Sequence, residues 1–442
     1  MRRWMLGVLV AALVVTANAV PPVAAAGAPA TDPVRILILG DSVSQGSSGD
    51  WTWRYRLWRR LVDAGVAFDL VGPRDDLWDL RADAPGAMSY ADPDFDRDHA
   101  ARWGMFAGMP DVPVASLVTT YQPDVVVVML GINDLIWTDQ APAEVAARVG
   151  DLVAAARSAR PDVDVVLSEV TQHWFPDAPE LNAQLALLAQ AATTASSRVV
   201  LAAAAAGYDV DRDTWDTSHP NARGEVRIAT AVAAALHELG IGPAATLPAT
   251  MPPVGPRFPA TFSGTLAGAE GRLAWTSGPG ATHQLLWRRD VTTGAPWTRS
   301  PVPLPRDGTL VVPGLRRHHR YDFRLQPVKG DDLPGGDVYS AVVSLVPGGP
   351  MLAPAGVRAV ARGRRCVRLA WRPVPDATSY VVERRVGRTW TRPVRTTTPS
   401  WRGTRLPVAP RWTFRVRATG DQVVGPPTSV TVRPARSAAP CR

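Results

Sequence analysis

The sequence of 442 residues contains only two cysteines and a single lysine. Both cysteines, Cys366 and Cys441, lie near the C-terminus, so the residues before them must be stabilised by hydrophobic cores without disulfides. No group of cysteines and histidines has the spacing of a metal-binding motif, and we expect neither a metal nor another cofactor. Because Lys329 is the single lysine, arginine carries nearly all of the positive charge.

Apolar runs long enough to cross a bilayer are also lacking. The first residues have the order of a secretory signal peptide: two arginines, an apolar run over 5–15, and then the small residues Ala17-Asn18-Ala19. A second cleavage site of this kind follows Ala24-Ala25-Ala26. We therefore expect a secreted protein, cleaved near Ala19 or Ala26, without a transmembrane anchor.

The charge is divided unevenly along the chain. Residues 31–245 contain 16 arginines against 30 acidic residues, a net charge of −14, whereas residues 246–442 have a net charge of +20. An acidic body before a basic tail suggests that the tail binds an anionic cell-wall polymer or polysaccharide. Arginine-rich, solvated strand faces explain the tail equally well. Nucleic acid is disfavoured, because the arginines are scattered and the chain is predicted to be secreted.

The chain changes its pattern after Gly242. Before it, strand-like runs alternate with amphipathic helical patterns, which favours a parallel sheet covered on both faces. Those runs are 34–39, 68–71, 124–130, 163–167 and 199–201. The interval 73–110 has no clear periodicity, and a loop of this length usually serves a site.

After Gly242 a proline-rich linker precedes two blocks of short alternating strands, each the size of one β-sandwich. The expected divisions are a signal peptide and extension at 1–30, an α/β domain at 31–242, a linker at 243–257, sandwiches at 258–347 and 351–434, and a tail at 435–442.

Polar residues follow the strand-like runs of the first domain, at the edge where ligands bind in α/β sheets. Ser42 is either a nucleophile or a helix cap. Asn133 either donates its amide to an oxyanion or makes a turn. His219 supplies a base that Asp216 orients from three residues before it, unless the two form a helix-capping pair. Asp213 is a rival for the orienting role.

Three other residues have weaker claims to a role. Gly104, in the long loop, is able to bring a backbone N–H close to the same oxyanion. His99 competes as a base, but no neighbouring acid has a reason to orient it, so we interpret it as a loop histidine bonded to backbone. His173 follows a strand and is expected to line the cleft without a catalytic role. The G-x-S-x-G elbow of α/β-hydrolases is absent around Ser42.

Taken in order, four motifs resemble the SGNH or GDSL hydrolase family: Gly40-Asp41-Ser42, Gly104, Gly131-Ile132-Asn133-Asp134 and Asp216-Thr217-Ser218-His219. The resemblance implies a flavodoxin-like three-layer α/β/α sandwich with five parallel strands. It also implies the roles of nucleophile and oxyanion donor for Ser42, oxyanion donors for Gly104 and Asn133, base for His219 and orienting acid for Asp216. Val43 departs from the family's leucine, and Gly108 is an alternative to Gly104.

The block 351–434 resembles a fibronectin type III domain in Val367-Arg368-Leu369-Ala370-Trp371 and in Tyr380-Val381-Val382-Glu383. The block 258–347 resembles a more divergent copy. In that family the second strand begins, and the last strand ends, at the same pole. The resemblance therefore implies a disulfide between Cys366 and Cys441, with two free thiols as the alternative.

Together these patterns predict a secreted serine ester hydrolase that acts through an acyl-enzyme. Accessory sandwiches suggest a large or insoluble target, which favours a carbohydrate (acetyl) esterase acting on an acylated polysaccharide. A lipase or general carboxylesterase is the second interpretation, and a wall-binding protein with a vestigial hydrolase domain is the third. We expect a monomer, and hydrolysis of small esters that survives removal of the residues after Gly242.

Overall fold

The computed structural model describes residues 32–333 and 336–436. The predicted signal peptide and Cys441 lie outside these ranges, so the cleavage site and the disulfide stay predictions. None of the helices in the described ranges combines the length and the apolar character that a membrane span needs.

The first part of the chain is an α/β/α sandwich around a five-stranded parallel sheet in the order β2-β1-β5-β6-β7. Its strands, with a separate hairpin, are β1 (Val34–Gly40), β2 (Phe68–Val71), β3 (Leu77–Asp79), β4 (Ala84–Ala87), β5 (Val125–Met129), β6 (Asp164–Ser168) and β7 (Val199–Ala202). Its helices are α1 (Ser42–Gln45), α2 (Trp53–Asp63), α3 (Val114–Tyr121), α4 (Ile132–Thr138), α5 (Pro142–Ala159), α6 (Ala178–Ala192), α7 (Val210–Asp213) and α8 (Ala222–Glu238). The predicted flavodoxin-like architecture is confirmed.

Both faces of the sheet are buried, which explains why its strands are apolar without alternation. On one face Leu37 and Leu39 pack in a core with residues of α3, α5 and α6. On the other face Ile36 and Ile38 pack against α2 and α8. The strand order reverses between β1 and β5, and in such sheets this is the point where ligands bind.

The long interval 73–110 contains the hairpin β3–β4, which periodicity did not predict. Its later part runs beside β1, where the N–H of Ala100 donates to the carbonyl of Ile38 at 2.8 Å and that of Arg102 to the carbonyl of Gly40 at 3.0 Å. Because of these bonds, the next residues, Trp103 and Gly104, lie at the carboxyl end of β1.

The rest of the described chain forms two antiparallel β-sandwiches. The first contains β8 (Thr261–Ala267), β9 (Glu270–Thr276), β10 (His283–Asp290), β11 (Thr298–Arg299), β12 (Leu304–Pro305), β13 (Gly308–Val312), β14 (Tyr321–Val328) and β15 (Val343–Leu345). The second contains β16 (Arg358–Gly363), β17 (Cys366–Ala370), β18 (Ser379–Val386), β19 (Thr389–Trp390), β20 (Val394–Thr396), β21 (Ser400–Gly403), β22 (Trp412–Gly420), β23 (Val423–Val424) and β24 (Thr428–Val432). Each has its own core, around Trp275 in the first and Trp371 in the second.

Candidate active site

Ser42 is the first residue of α1, directly after the strand β1 ends. The carboxylate of Asp41 accepts a hydrogen bond from the N–H of Val43 at 3.0 Å and closes the turn between strand and helix. Gly40 is required there, because a Cβ would lie 2.3 Å from the Oγ of Ser44. Ser42 lines a cavity of about 460 Å³ that His219 lines as well.

A buried arginine, Arg54, stabilises this turn through hydrogen bonds to its backbone. It is fully buried, and its guanidinium donates to the carbonyls of Ser44 at 2.8 Å, Gln45 at 3.2 Å and Arg97 at 2.7 Å. The carbonyls at the end of a helix lack partners within the helix, so Arg54 satisfies two of them for α1. Sequence reasoning missed this residue, because an arginine on an amphipathic helix is normally expected in solvent.

His219 and Asp216 lie in a tight loop between α7 and α8. Nδ1 of His219 is 2.7 Å from Oδ2 of Asp216, and Oδ1 of the same carboxylate accepts from the backbone N–H groups of Ser218 at 3.1 Å and His219 at 2.7 Å. Thr217 has a φ of 70°, an unusual value for a β-branched residue. The carboxylate thus fixes both the ring and the backbone of the loop.

Two indole rings enclose the imidazole of His219. The ring of Trp103 is stacked on it with centroids 4.2 Å apart, and the ring of Trp215 is stacked at 5.4 Å. Trp103 in turn is stacked on Trp78 of the β3–β4 hairpin at 5.4 Å. The N–H of Trp103 donates to Oε1 of Gln45 at 2.7 Å, which ties the long loop to α1. The sequence did not predict these contacts, since both tryptophans lie in irregular segments.

Amide donors lie on another wall of the same cavity. Asn133 and Gly104 both line it, and Nδ2 of Asn133 donates to the carbonyl of Met105 at 3.0 Å, which orients the amide. Gly104 has a φ of 74°. The N–H of Gly108 instead donates to Oδ1 of Asp134 at 3.2 Å.

The rival residues have other partners. Asp213 is buried and forms ion pairs with Arg227 at 2.7 Å and Arg223 at 3.5 Å. His99 is buried and bonded to backbone, with Nε2 3.0 Å from the carbonyl of Asp76. Burial, followed by the charge of Arg54, lowers its pKa well below the usual value.

His173 is exposed, and its Nε2 lies 3.1 Å from the carbonyl of Ala205. Its neighbours Gln172 and Trp174 line the cavity instead. Within the described ranges, no group of three or more histidine, cysteine or acidic side chains is arranged to hold a metal ion.

Two carboxyl groups near the cavity have shifted pKa values in opposite directions. Burial raises the pKa of Asp41 to about 7, against the opposing effects of the bond from Val43 and the charge of His219. For Asp216, burial alone would raise the pKa, but the hydrogen bonds and charge of His219 outweigh it, and the pKa lies below its usual value. Asp216 is therefore a carboxylate at neutral pH, and Asp41 is partly protonated.

Comparison with known proteins gives the class of this domain. Residues 38–227 match the profile of the GDSL-like Lipase/Acylhydrolase family. The N-terminal domain is therefore a GDSL-like acylhydrolase domain, as predicted, and the protein is a carboxylic ester hydrolase. The comparison with curated proteins found no significant match.

Solved structures similar to the chain fall into two groups. A carbohydrate esterase family 3 protein from Talaromyces cellulolyticus is 29% identical, over 47% of this chain and 97% of that one, with a TM-score of 0.41. A family 3 carbohydrate esterase from Clostridium thermocellum is 23% identical over the same shares, with a TM-score of 0.40. A two-domain fibronectin type III segment of chicken tenascin is 14% identical, over 40% of this chain and 99% of that one, with a TM-score of 0.24.

The pKa of Asp41 predicts a pH-dependent effect of its neutral replacement. Between pH 4 and 7 the unfolded chain releases this proton while the folded protein retains it, so the contribution of Asp41 to stability falls as pH rises through that window. Asp41→Asn keeps an acceptor for Val43 and removes the buried charge. We expect it to raise the melting temperature at pH 8 and to change it little at pH 4, measured by calorimetry.

The matched control is Asp94→Asn, which alters an exposed acid in the long loop. An Asp41→Asn shift that is equal at both pH values would contradict the assigned pKa.

Proposed function

We propose that Ser42, His219 and Asp216 hydrolyse an ester in two steps. His219 removes the proton of Ser42 as Oγ attacks the carbonyl, and the same imidazole then protonates the leaving alcohol. Water, activated by His219, releases the acyl group from the serine. The bond between Nδ1 and Asp216 supports this proposal, because it holds the ring with Nε2 free for the serine.

The surroundings of the imidazole suit its part in the reaction. Positive charge develops on His219 when it takes the proton, and the faces of Trp103 and Trp215 attract positive charge. The oxyanion would be stabilised by the N–H of Ser42, the N–H of Gly104 and Nδ2 of Asn133. Gly104 is favoured over Gly108, whose N–H is engaged by a carboxylate.

The nucleophile is tested by Ser42→Ala. We expect the turnover of p-nitrophenyl acetate to fall by about 10⁴-fold or more, because no oxygen remains to form the acyl-enzyme. Ser48→Ala, a buried serine of the same segment that does not line the cavity, should retain turnover. Activity that survives Ser42→Ala would contradict the nucleophile, and an inactive wild type would favour the vestigial alternative.

We infer that the acyl group is carried by a carbohydrate. Trp137 and Trp174 line the cavity yet are 72% and 47% exposed, high values for side chains of this size and largely apolar character. Sugar rings present flat C–H faces that stack on such indoles. Secretion, inferred from the sequence of residues 1–26, fits a polymer outside the cell.

The sugar-binding role predicts a selective defect. We expect Trp137→Ala and Trp174→Ala each to lower kcat/KM for an acetylated xylo-oligosaccharide by about 10-fold, and to change that for p-nitrophenyl acetate by less than about 2-fold. The matched control is Leu187→Ala, which removes an exposed apolar side chain of α6 that does not line the cavity.

Equal losses on both substrates would contradict a role in sugar binding. A wild-type preference for octanoyl over acetyl esters would favour the lipase interpretation instead.

The second sandwich supplies a surface for an anionic polymer. The strands β16, β17 and β21 contain no acidic residue, and their outer face exposes Arg358, Arg362, Arg368 and Arg402. The three acidic residues of 351–434 face cationic side chains elsewhere: Asp376 contacts Arg317, Glu383 contacts Arg415, and Asp421 contacts Arg316.

We expect Arg358→Gln/Arg368→Gln to elute from immobilised polygalacturonate at lower salt than the wild type, because two contacts to the polymer are lost. The matched control is Arg385→Gln/Arg388→Gln, which removes the same charge from exposed positions at the end of β18 and the turn after it. An equal shift for both variants would contradict a binding face, because net charge alone would then explain retention.

A further inference from the structure

One of the contacts between the first sandwich and the hydrolase domain is made by the turn after β14. We call residues Lys329–Asp332 the clamp. The N–H of Asp331 donates to the carbonyl of Trp215 at 2.7 Å, and Oδ1 of Asp332 accepts from Nδ2 of Asn221 at 2.9 Å. Both acceptor and donor belong to the segment that carries His219, which we call the histidine loop (Asp213–Asn221).

Gly330 lies against the same carbonyl. Its φ is +53°, and a Cβ at this position would lie 1.8 Å from the oxygen of Trp215 and 2.8 Å from its ring. Only a residue without a side chain permits so close an approach of the two backbones.

Lys329 adds a further contact to the same indole. It is 4% exposed, its Nζ donates to Ser47 at 2.7 Å and forms an ion pair with Asp50, and it lies 4.7 Å from the ring of Trp215. Trp215 therefore contacts both a cation of the sandwich and the imidazole of His219. A lysine buried in this way is costly unless its partners stay in place.

The histidine loop needs such support, because it has no strand on which to pair. Within the hydrolase domain, Nδ2 of Asn221 also donates to the carbonyl of Thr214 at 3.1 Å, and Nε2 of Gln172 donates to that of Ser218 at 3.0 Å. Trp215 donates its N–H to the carbonyl of His219 at 3.0 Å. The clamp fixes the position of Trp215. Trp215 in turn helps to position His219 through one hydrogen bond and one ring contact.

We infer that the first sandwich is a working part of the hydrolase site, and that its clamp positions His219 for proton transfer. This inference rests on the proposed function of His219. It reverses the expectation that hydrolysis of small esters survives loss of the residues after Gly242, since that loss would remove every contact of the clamp. Gly330 and its neighbours are positioning residues: they touch the histidine loop and do not line the cavity of Ser42 and His219.

The test compares two glycines of the connection between β14 and β15 in the full-length chain. Gly330→Ala places a Cβ against Trp215, whereas Gly336→Ala adds one at nearly the same φ, +52°, with no atom of the described residues within 4 Å apart from its neighbours in the chain. The backbone strain of the two variants is therefore matched, and only the contact differs. For p-nitrophenyl acetate, we expect Gly330→Ala to lower kcat by about 10-fold or more with KM changed less than about 2-fold, and Gly336→Ala to change neither.

The single lysine gives an independent measure of docking. Lys329 is buried at the contact, so an amine-reactive reagent should label it slowly in the wild type and in Gly336→Ala, and faster in Gly330→Ala, as followed by peptide mass spectrometry. Faster labelling with an unchanged kcat would overturn the inference. Equal loss of kcat in both glycine variants, or no change in either measurement for Gly330→Ala, would overturn it as well.

If Gly330→Ala fails to fold, Asp332→Ala tests the clamp by removing one hydrogen bond without adding an atom. A lower kcat with an unchanged KM would support the inference, and an unchanged kcat would overturn it. Inactivity of the wild type, or activity in Ser42→Ala, would instead contradict the proposed function, so the two failures are distinguishable.

Discussion

The stacking of His219 between two indoles connects three parts of the chain that are distant in sequence. Trp103 comes from the long loop beside β1, His219 and Trp215 from the loop before α8, and Lys329 from the first sandwich. None of these segments is a regular element, so their positions depend on one another. The parallel sheet determines the position of Ser42, whereas the ring contacts determine the position of His219.

The parallel sheet positions the residues that follow β1 and β5. Because β1 and β5 are central and buried on both faces, the turns after them start from rigid strands. Ser42 and Asn133 therefore reach the same edge without support from the sandwiches. Ala100 and Arg102 form backbone hydrogen bonds with β1. These bonds place Gly104, two residues further along the chain, at the same edge.

The sequence predicted the elements and the candidate site well where local rules apply. Alternation of apolar strands and helices predicted a parallel sheet covered on both faces, and the resemblance to the SGNH family implied its flavodoxin-like architecture. The motifs around Ser42, Asn133 and His219 lie at one cavity. What sequence reasoning missed lies between segments: the burial of Arg54, the ring contacts of Trp103 and the approach of Gly330 to Trp215. Such contacts depend on tertiary packing, which leaves no periodic pattern along the chain.

The composition of the second sandwich bears on the proposed binding of an anionic polymer. The outer face of the second sandwich is charged by arginine alone, and a guanidinium keeps its proton at any pH that a protein tolerates. Under the proposed function, each ester bond that is cleaved releases an acid, which would acidify a poorly mixed polymer matrix. The charge of this face does not change when the pH falls. Any adhesion that it provides would therefore weaken only when the acid groups of the matrix became neutral.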